Sequence, residues 1–223
     1  MSKAQTNTKD DNTQKRVRGD VEVVNLTFLK EKGIAIGTVK YGEMYLKNIT
    51  VAEKNHEPAV LYPEKKGYPV YKFSDKDGYD RDKQTIESAL KQHYADMKSG
   101  KLDAVKDSPI PGVQFKRDYS PRIYGEREFE GGDKSMTVGY KGLMVNNVGV
   151  RQTDKGVTYV AFPSYKKSNG EWDNHVTANR EFKESIISAC NEKFAEKDLS
   201  ADRSADFDNA KREQAARQQA ERE

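Results

Sequence analysis

Short runs dense in β-branched and aromatic residues alternate along the chain with polar spacers. Val21 to Phe28, Ile34 to Tyr41, Met44 to Val51 and Ala59 to Tyr62 read as strands, the first two around a turn at Lys30–Gly33. In the third run Met44 and Leu46 share one parity while Ile49 and Val51 share the other. One extra residue returns all four side chains to one face, so a β-bulge is expected at Asn48. After Asp82 the period lengthens: Ile86, Ala89, Leu90, His93, Tyr94 and Met97 recur at helical spacing, which predicts a helix whose apolar stripe covers one face of the sheet. Only a loop is expected between the fourth strand and this helix.

The same pattern then recurs. At an offset of 99 residues GTVKYGEMYLKNITV meets MTVGYKGLMVNNVGV, pairing Thr38 with Thr137, Tyr41 with Tyr140, Asn48 with Asn147 and Val51 with Val150. At an offset of 100, AVLYPEKK meets YVAFPSYKK and KQTIESALKQHYA meets KESIISACNEKFA. Three windows in one order at nearly one offset mark a duplication. Leu143, Val145, Val148 and Val150 repeat the slip in parity, so a second bulge is expected at Asn147; Ile186, Ala189, Cys190 and Phe194 repeat the helical stripe. Residues 19–98 form the first repeat and 122–197 the second. The segment 99–121, with Pro109, Pro111, Gly112 and Pro121, reads as the connection between them.

Both ends differ in texture. Residues 1–18 carry five basic and two acidic side chains with almost nothing apolar, the composition of a disordered basic arm. Residues 198–223 carry five basic and seven acidic side chains and good helix formers without a buried face, a charged tail either helical or disordered. Over the whole chain 39 Lys and Arg stand against 36 Asp and Glu, so any polyanion site must be a local patch. No apolar run is long enough for a membrane span and the N-terminus lacks a signal-peptide core, which points to a cytoplasmic protein without membrane attachment.

The second half, GLMVNNVGVRQTDKGVTYVAFPSYKKSNGEWDNHVTANREFKESIISACNEKF, resembles the SpoVG (septation regulator) family in its strand pair, its Phe-Pro-Ser run ending in basic residues, its Gly-x-aromatic loop and its closing helix. The first half joins the resemblance through the repeat. The resemblance implies an α+β chain of two similar antiparallel β-sheet plus C-terminal helix units, arranged as an intramolecular pseudo-dimer because family members pair as homodimers and bind nucleic acid as regulators. It also places nucleic-acid contact at the strand-end loop, here Pro163, Ser164, Lys166, Lys167, Gly170 and Trp172, with Lys65 and Lys66 at the matching place in the first half. Ammonium groups there would neutralise phosphates of DNA or RNA, and an indole would stack on a base. With Arg180 these lysines and Trp172 make up the expected nucleic-acid-binding set. The chain departs from the family at Asp173, where a basic residue is common, and at the acidic Glu64. The plain alternative for Lys166 and Lys167 is a solvated loop, and Trp172 reads as partly packed rather than free.

Other chemistry is sparse. Asp75, Asp77, Asp80 and Asp82 cluster around Gly78, but without EF-hand spacing they read as turn and helix-start residues, so no metal is expected. The single cysteine, Cys190, sits on the helical stripe and reads as a buried thiol. No phosphate loop, nucleophile motif or histidine cluster is present, and His175 stands without an evident triad, so neither an enzyme nor a cofactor is expected. Two function classes remain: a non-enzymatic nucleic-acid-binding regulator using lysine-rich strand-end loops, or a protein-interaction module, an inhibitor or adaptor, that keeps the fold without that activity. The expected state is a monomer with intramolecular pairing, further dimerisation being left open.

Overall fold

A computed structural model of the chain describes residues 20–74, 79–115, 120–130 and 132–197. It is an α+β protein with antiparallel sheets and, among the described residues, two α-helices. The first half runs β1 (Val21–Leu29), β2 (Ile34–Tyr41), β3 (Met44–Lys54), β4 (Glu57–Leu61), β5 (Glu64–Lys65), β6 (Tyr68–Pro69), β7 (Tyr71–Phe73) and α1 (Tyr79–Lys98). After β8 (Ala104–Pro109) the order repeats with β9 (Arg122–Glu128), β10 (Lys134–Tyr140), β11 (Leu143–Gln152), β12 (Thr158–Ala161), β13 (Ser164–Lys166), β14 (Trp172–Asn174), β15 (Val176–Ala178) and a helix α2 over residues 180–197.

The first sheet has the order β15-β3-β2-β1-β8, with β4 also on β3; the second has β12-β11-β10-β9, with β7 also on β11. Each long third strand therefore has an outer edge shared by two partners. Along β3, Thr50 to Lys54 pair with β4, while Met44 to Leu46 pair with β15 from the other half. Along β11, Gly149 to Gln152 pair with β12, while Leu143 to Val145 pair with β7 from the first half.

The bulges fall where the partner changes. Gly37 pairs with Ile49 but Val39 with Leu46, so Lys47 and Asn48 stand opposite Thr38 alone; Met136 pairs with Val148 but Val138 with Val145, so Asn146 and Asn147 stand opposite Thr137. Asn48 and Asn147 take φ of 62° and 55°, the left-handed conformation that asparagine tolerates better than other non-glycine residues. Each bulge also turns a backbone group toward the other half: the Lys47 N–H donates to the His175 carbonyl at 2.8 Å and the Asn146 N–H to the Val70 carbonyl at 2.9 Å. The Tyr71 hydroxyl donates to the Lys47 carbonyl at 2.8 Å.

Ile86, Leu90, Tyr94 and Met97 of α1 are buried, as are Phe182, Ile186, Cys190 and Phe194 of α2. Phe28 meets Tyr94 edge-on at 5.7 Å, and the Tyr94 hydroxyl donates to the Gly33 carbonyl. Asn179 caps α2, its side-chain oxygen accepting the Phe182 N–H at 2.8 Å. Aromatic rings link the halves: Phe115 lies 4.8 Å from Tyr41 and 5.5 Å from Tyr140, whose ring meets Phe182 at 4.6 Å. At the β10–β11 turn Gly142 has φ 77°, and a Cβ there would sit 2.2 Å from the Tyr79 ring, so the start of α1 packs directly on that turn.

The structure adds to the sequence reading in two places. The connection contains β8, an edge strand on β1, and buries Val105, Ile110 and Val113. The expected loop before each helix holds three short strands, β5 to β7 in one half and β13 to β15 in the other. Asp75, Asp77 and Gly78 of the acidic cluster lie outside the described residues, as do the basic arm and the charged tail. Asp80 and Asp82 occupy the first turn of α1, and Asp82 pairs with Lys141 at 3.6 Å. Among the described residues no helix is long and apolar enough to cross a membrane.

Candidate functional site

The expected lysines stand on two small hairpins. β5 and β6 pair Glu64 with Pro69 and Lys65 with Tyr68, leaving Lys66 and Gly67 as a two-residue loop. Their φ values of 55° and 79° are those of a type I′ turn, which matches the twist of the flanking strands. β13 and β14 pair Ser164 with Asn174 and Lys166 with Trp172, and the longer loop closes through the Gly170 N–H donating to the Lys167 carbonyl. The two hairpins meet: the Lys65 ammonium donates to the Ser164 carbonyl at 3.4 Å, across 99 positions of sequence.

Trp172 corrects one expectation. It is 68% exposed, because its place on a two-stranded hairpin opposite Lys166 leaves no layer of the described residues above the ring. Tyr68, opposite Lys65 on the first hairpin, is 72% exposed for the same reason. Each hairpin thus presents a lysine beside an open aromatic. Sequence reasoning passed over Tyr68, although its position just after Lys65-Lys66-Gly67 parallels Trp172 after Lys166-Lys167.

Asp173 sets the charge of the second hairpin. It pairs with Lys47 at 3.0 Å and Lys167 at 3.6 Å, and accepts from the Tyr165 hydroxyl at 3.2 Å. The Lys47 hydrogen bond, assisted by the Asn174 N–H and the Lys167 charge and opposed by burial, brings its carboxyl down to about 2. Lys167 also lies 4.0 Å from Glu171, so its charge is largely answered within the hairpin. Arg180 stands apart from this group, 2.8 Å from Glu184 on the exposed face of α2. Lys66 and Lys166 are exposed and make no ion pair among the described residues.

His175 is buried beneath the second hairpin, its ring tilted against Tyr165 at 4.6 Å and 3.2 Å from the Asn48 amide. Burial first and the Lys65 ammonium second hold its imidazole below its ordinary range. A neutral ring bonded to the bulge asparagine is a packing element. Cys190 is buried in the core, where desolvation raises its thiol above the usual range and favours the uncharged form. Among the described residues no group of His, Cys, Asp or Glu has an arrangement suited to hold a metal ion. A cleft of about 650 Å³ opens beside the first hairpin, with Lys65, Lys66 and Tyr68 on one wall and Phe129, Arg151 and Pro163 among its other walls.

No family model matches the chain, and neither the curated proteins nor the solved structures contain a match.

Proposed function

We propose that this chain is a non-enzymatic nucleic-acid-binding regulator of the SpoVG type, a tandem pair in which one chain does the work of a homodimer. In this reading β7 and β15 are the exchanged strands of an intramolecular pseudo-dimer, and the exchange sets the two lysine-bearing hairpins side by side. The observation that carries it is the Lys65 ammonium lying on the Ser164 carbonyl: cations from separate repeats converge on one edge with Tyr68 and Trp172 open to solvent. Clustered ammonium groups with exposed aromatic rings suit phosphates and unstacked bases.

Fluorescence anisotropy with labelled single- and double-stranded DNA and RNA over a series of salt concentrations tests this. Replacing Lys65, Lys66, Lys166 and Lys167 together by Ala should weaken binding to unrelated sequences alike. The slope of log K against log salt should fall by roughly 2 to 3, since Lys167 is already answered by acids. An intact protein that binds none of the probes at low salt refutes the proposal.

The ion pairing at Asp173 favours a second reading. Lys47 and Lys167 are answered by Asp173 and Arg180 by Glu184, which leaves the exposed Tyr68 and Trp172 as open aromatic anchors, as suits a protein-interaction module acting as inhibitor or adaptor. Nucleic-acid binding that fails in the intact protein moves the assignment there.

A further inference from the structure

The two sheets differ on one cross-strand row. In the second sheet the register aligns Arg127, Ser135, Gly149 and Ala161 across β9, β10, β11 and β12. In the first the corresponding row is Thr27, Ile36, Thr50 and Leu61. Directly opposed residues in a sheet share a face. Three side chains are therefore smaller in the second repeat than in the first, and the fourth is a guanidinium, along a single line. The result is a trough floored by small residues, on the face opposite the buried Val138, Val148 and Val150, with the Arg151 side chain lying across it at Gly149, where a Cβ would sit 3.2 Å from the guanidinium Nε.

The surroundings of the trough carry charge and aromatic rings. The cleft beside the first hairpin adjoins a second of about 740 Å³, and the two share Tyr68, Phe129, Ser135 and Asn147. Tyr68 and Phe129 are 72% and 55% exposed. The basic side chains lining the two clefts are Lys65, Lys66, Lys72, Arg127, Lys134 and Arg151, against the acids Glu130 and Asp133. Asp133 is engaged by Arg151 at 3.7 Å, and the Lys134 ammonium lies over the Phe194 ring at 4.3 Å. Lys65, Lys66, Lys72 and Arg127 make no ion pair among the described residues.

We propose that this trough binds single-stranded nucleic acid, with bases stacking on Tyr68 and Phe129 and the sugar-phosphate backbone held by Arg127, Lys72, Lys65 and Lys66. The excess of cations selects a polyanion. The exposed ring faces select one whose bases are unstacked, since a duplex hides its base planes. The inference rests on the nucleic-acid reading above and narrows it to a strand type and a face.

Anisotropy titrations of the full chain with labelled oligo-dT, oligo-U and a duplex test it, with the first two arms distinguishing DNA from RNA. Tyr68→Ala and Phe129→Ala should each weaken single-strand binding about 5- to 150-fold, while Phe129→Tyr should keep it. Arg127→Gln should lower the salt slope by about 0.7, and Ser135→Phe, which fills the floor without changing charge, should weaken binding at least about tenfold. Thermal melts of Tyr68→Ala and Phe129→Ala should match the parent because both rings are exposed. Parent protein that binds single strands while all these variants bind equally well overturns the trough and leaves the hairpin reading intact. Parent protein that binds no nucleic acid overturns the reading beneath both.

Discussion

Ile86 and Ile186 occupy equivalent places on α1 and α2 and are 1% and 0% exposed, so replacing each by Ala is a matched pair of perturbations. Each substitution removes three carbons from a buried site. At about 0.8 kcal/mol per buried carbon the transfer loss is roughly 2.4 kcal/mol, and the cavity left beneath the helix raises it to about 3 to 4 kcal/mol. The pairing of strands across the halves makes a further demand. Because β7 belongs to the second sheet and β15 to the first, neither sheet can come apart without disturbing the other, and both variants should move one shared transition. Urea unfolding followed by circular dichroism measures this. With a slope near 2 kcal/mol/M, each midpoint should fall by about 1.5 to 2 M at unchanged slope. A loss below about 1 kcal/mol at either residue would show that its helix face is not the load on the sheet. Two separate transitions, with each variant moving only one, would show that these pairings do not couple the halves.

Trp172→Ala should leave stability within about 0.5 kcal/mol of the parent, because the ring has no layer above it, while weakening single-strand binding if the second hairpin contacts bases; paired melts and anisotropy read both effects. Asp173→Asn should release Lys47 and Lys167, strengthening binding to polyanions at low salt and steepening the salt slope, and an unchanged slope would refute that electrostatic role. The Asp173 carboxyl is held down at about 2, so its pairing contributes stability above the unfolded carboxylate value near 3.8 and loses it as pH falls through about 2; NMR titration of its side-chain carbon should place its midpoint well below that of an exposed aspartate. Cys190 should resist thiol reagents in the native protein and react on unfolding, since burial raises its thiol and blocks access. Sedimentation equilibrium should give a monomer at micromolar concentration, as expected when pairing is satisfied within one chain.

Much of the architecture was written in local patterns. The slip in parity around Asn48 and Asn147 foretold both bulges, because a strand's faces alternate strictly and one extra residue is the smallest correction. The stripes through Ile86 and Ile186 foretold which helix faces are buried, since that depends only on periodicity and apolar character. The duplication was visible as a nearly constant offset. These are properties of single segments, and a sequence states them directly.

Tertiary structure decided the partners. A three-residue strand such as Tyr71–Phe73 or Val176–Ala178 offers N–H and C=O groups that any free edge can satisfy, and its sequence does not say which sheet it will join. β8 was hidden for a related reason: a segment with three prolines nearby reads as a connection until an exposed edge of β1 recruits it. Trp172 lies open because no layer of the described residues covers its hairpin, a fact of tertiary packing and so invisible in the residue itself. The row of Arg127, Ser135, Gly149 and Ala161 is scattered over four strands and becomes a trough only through their register. Local pattern sets which way a side chain faces, whereas register and strand pairing set what it faces, and the candidate site depends on the second.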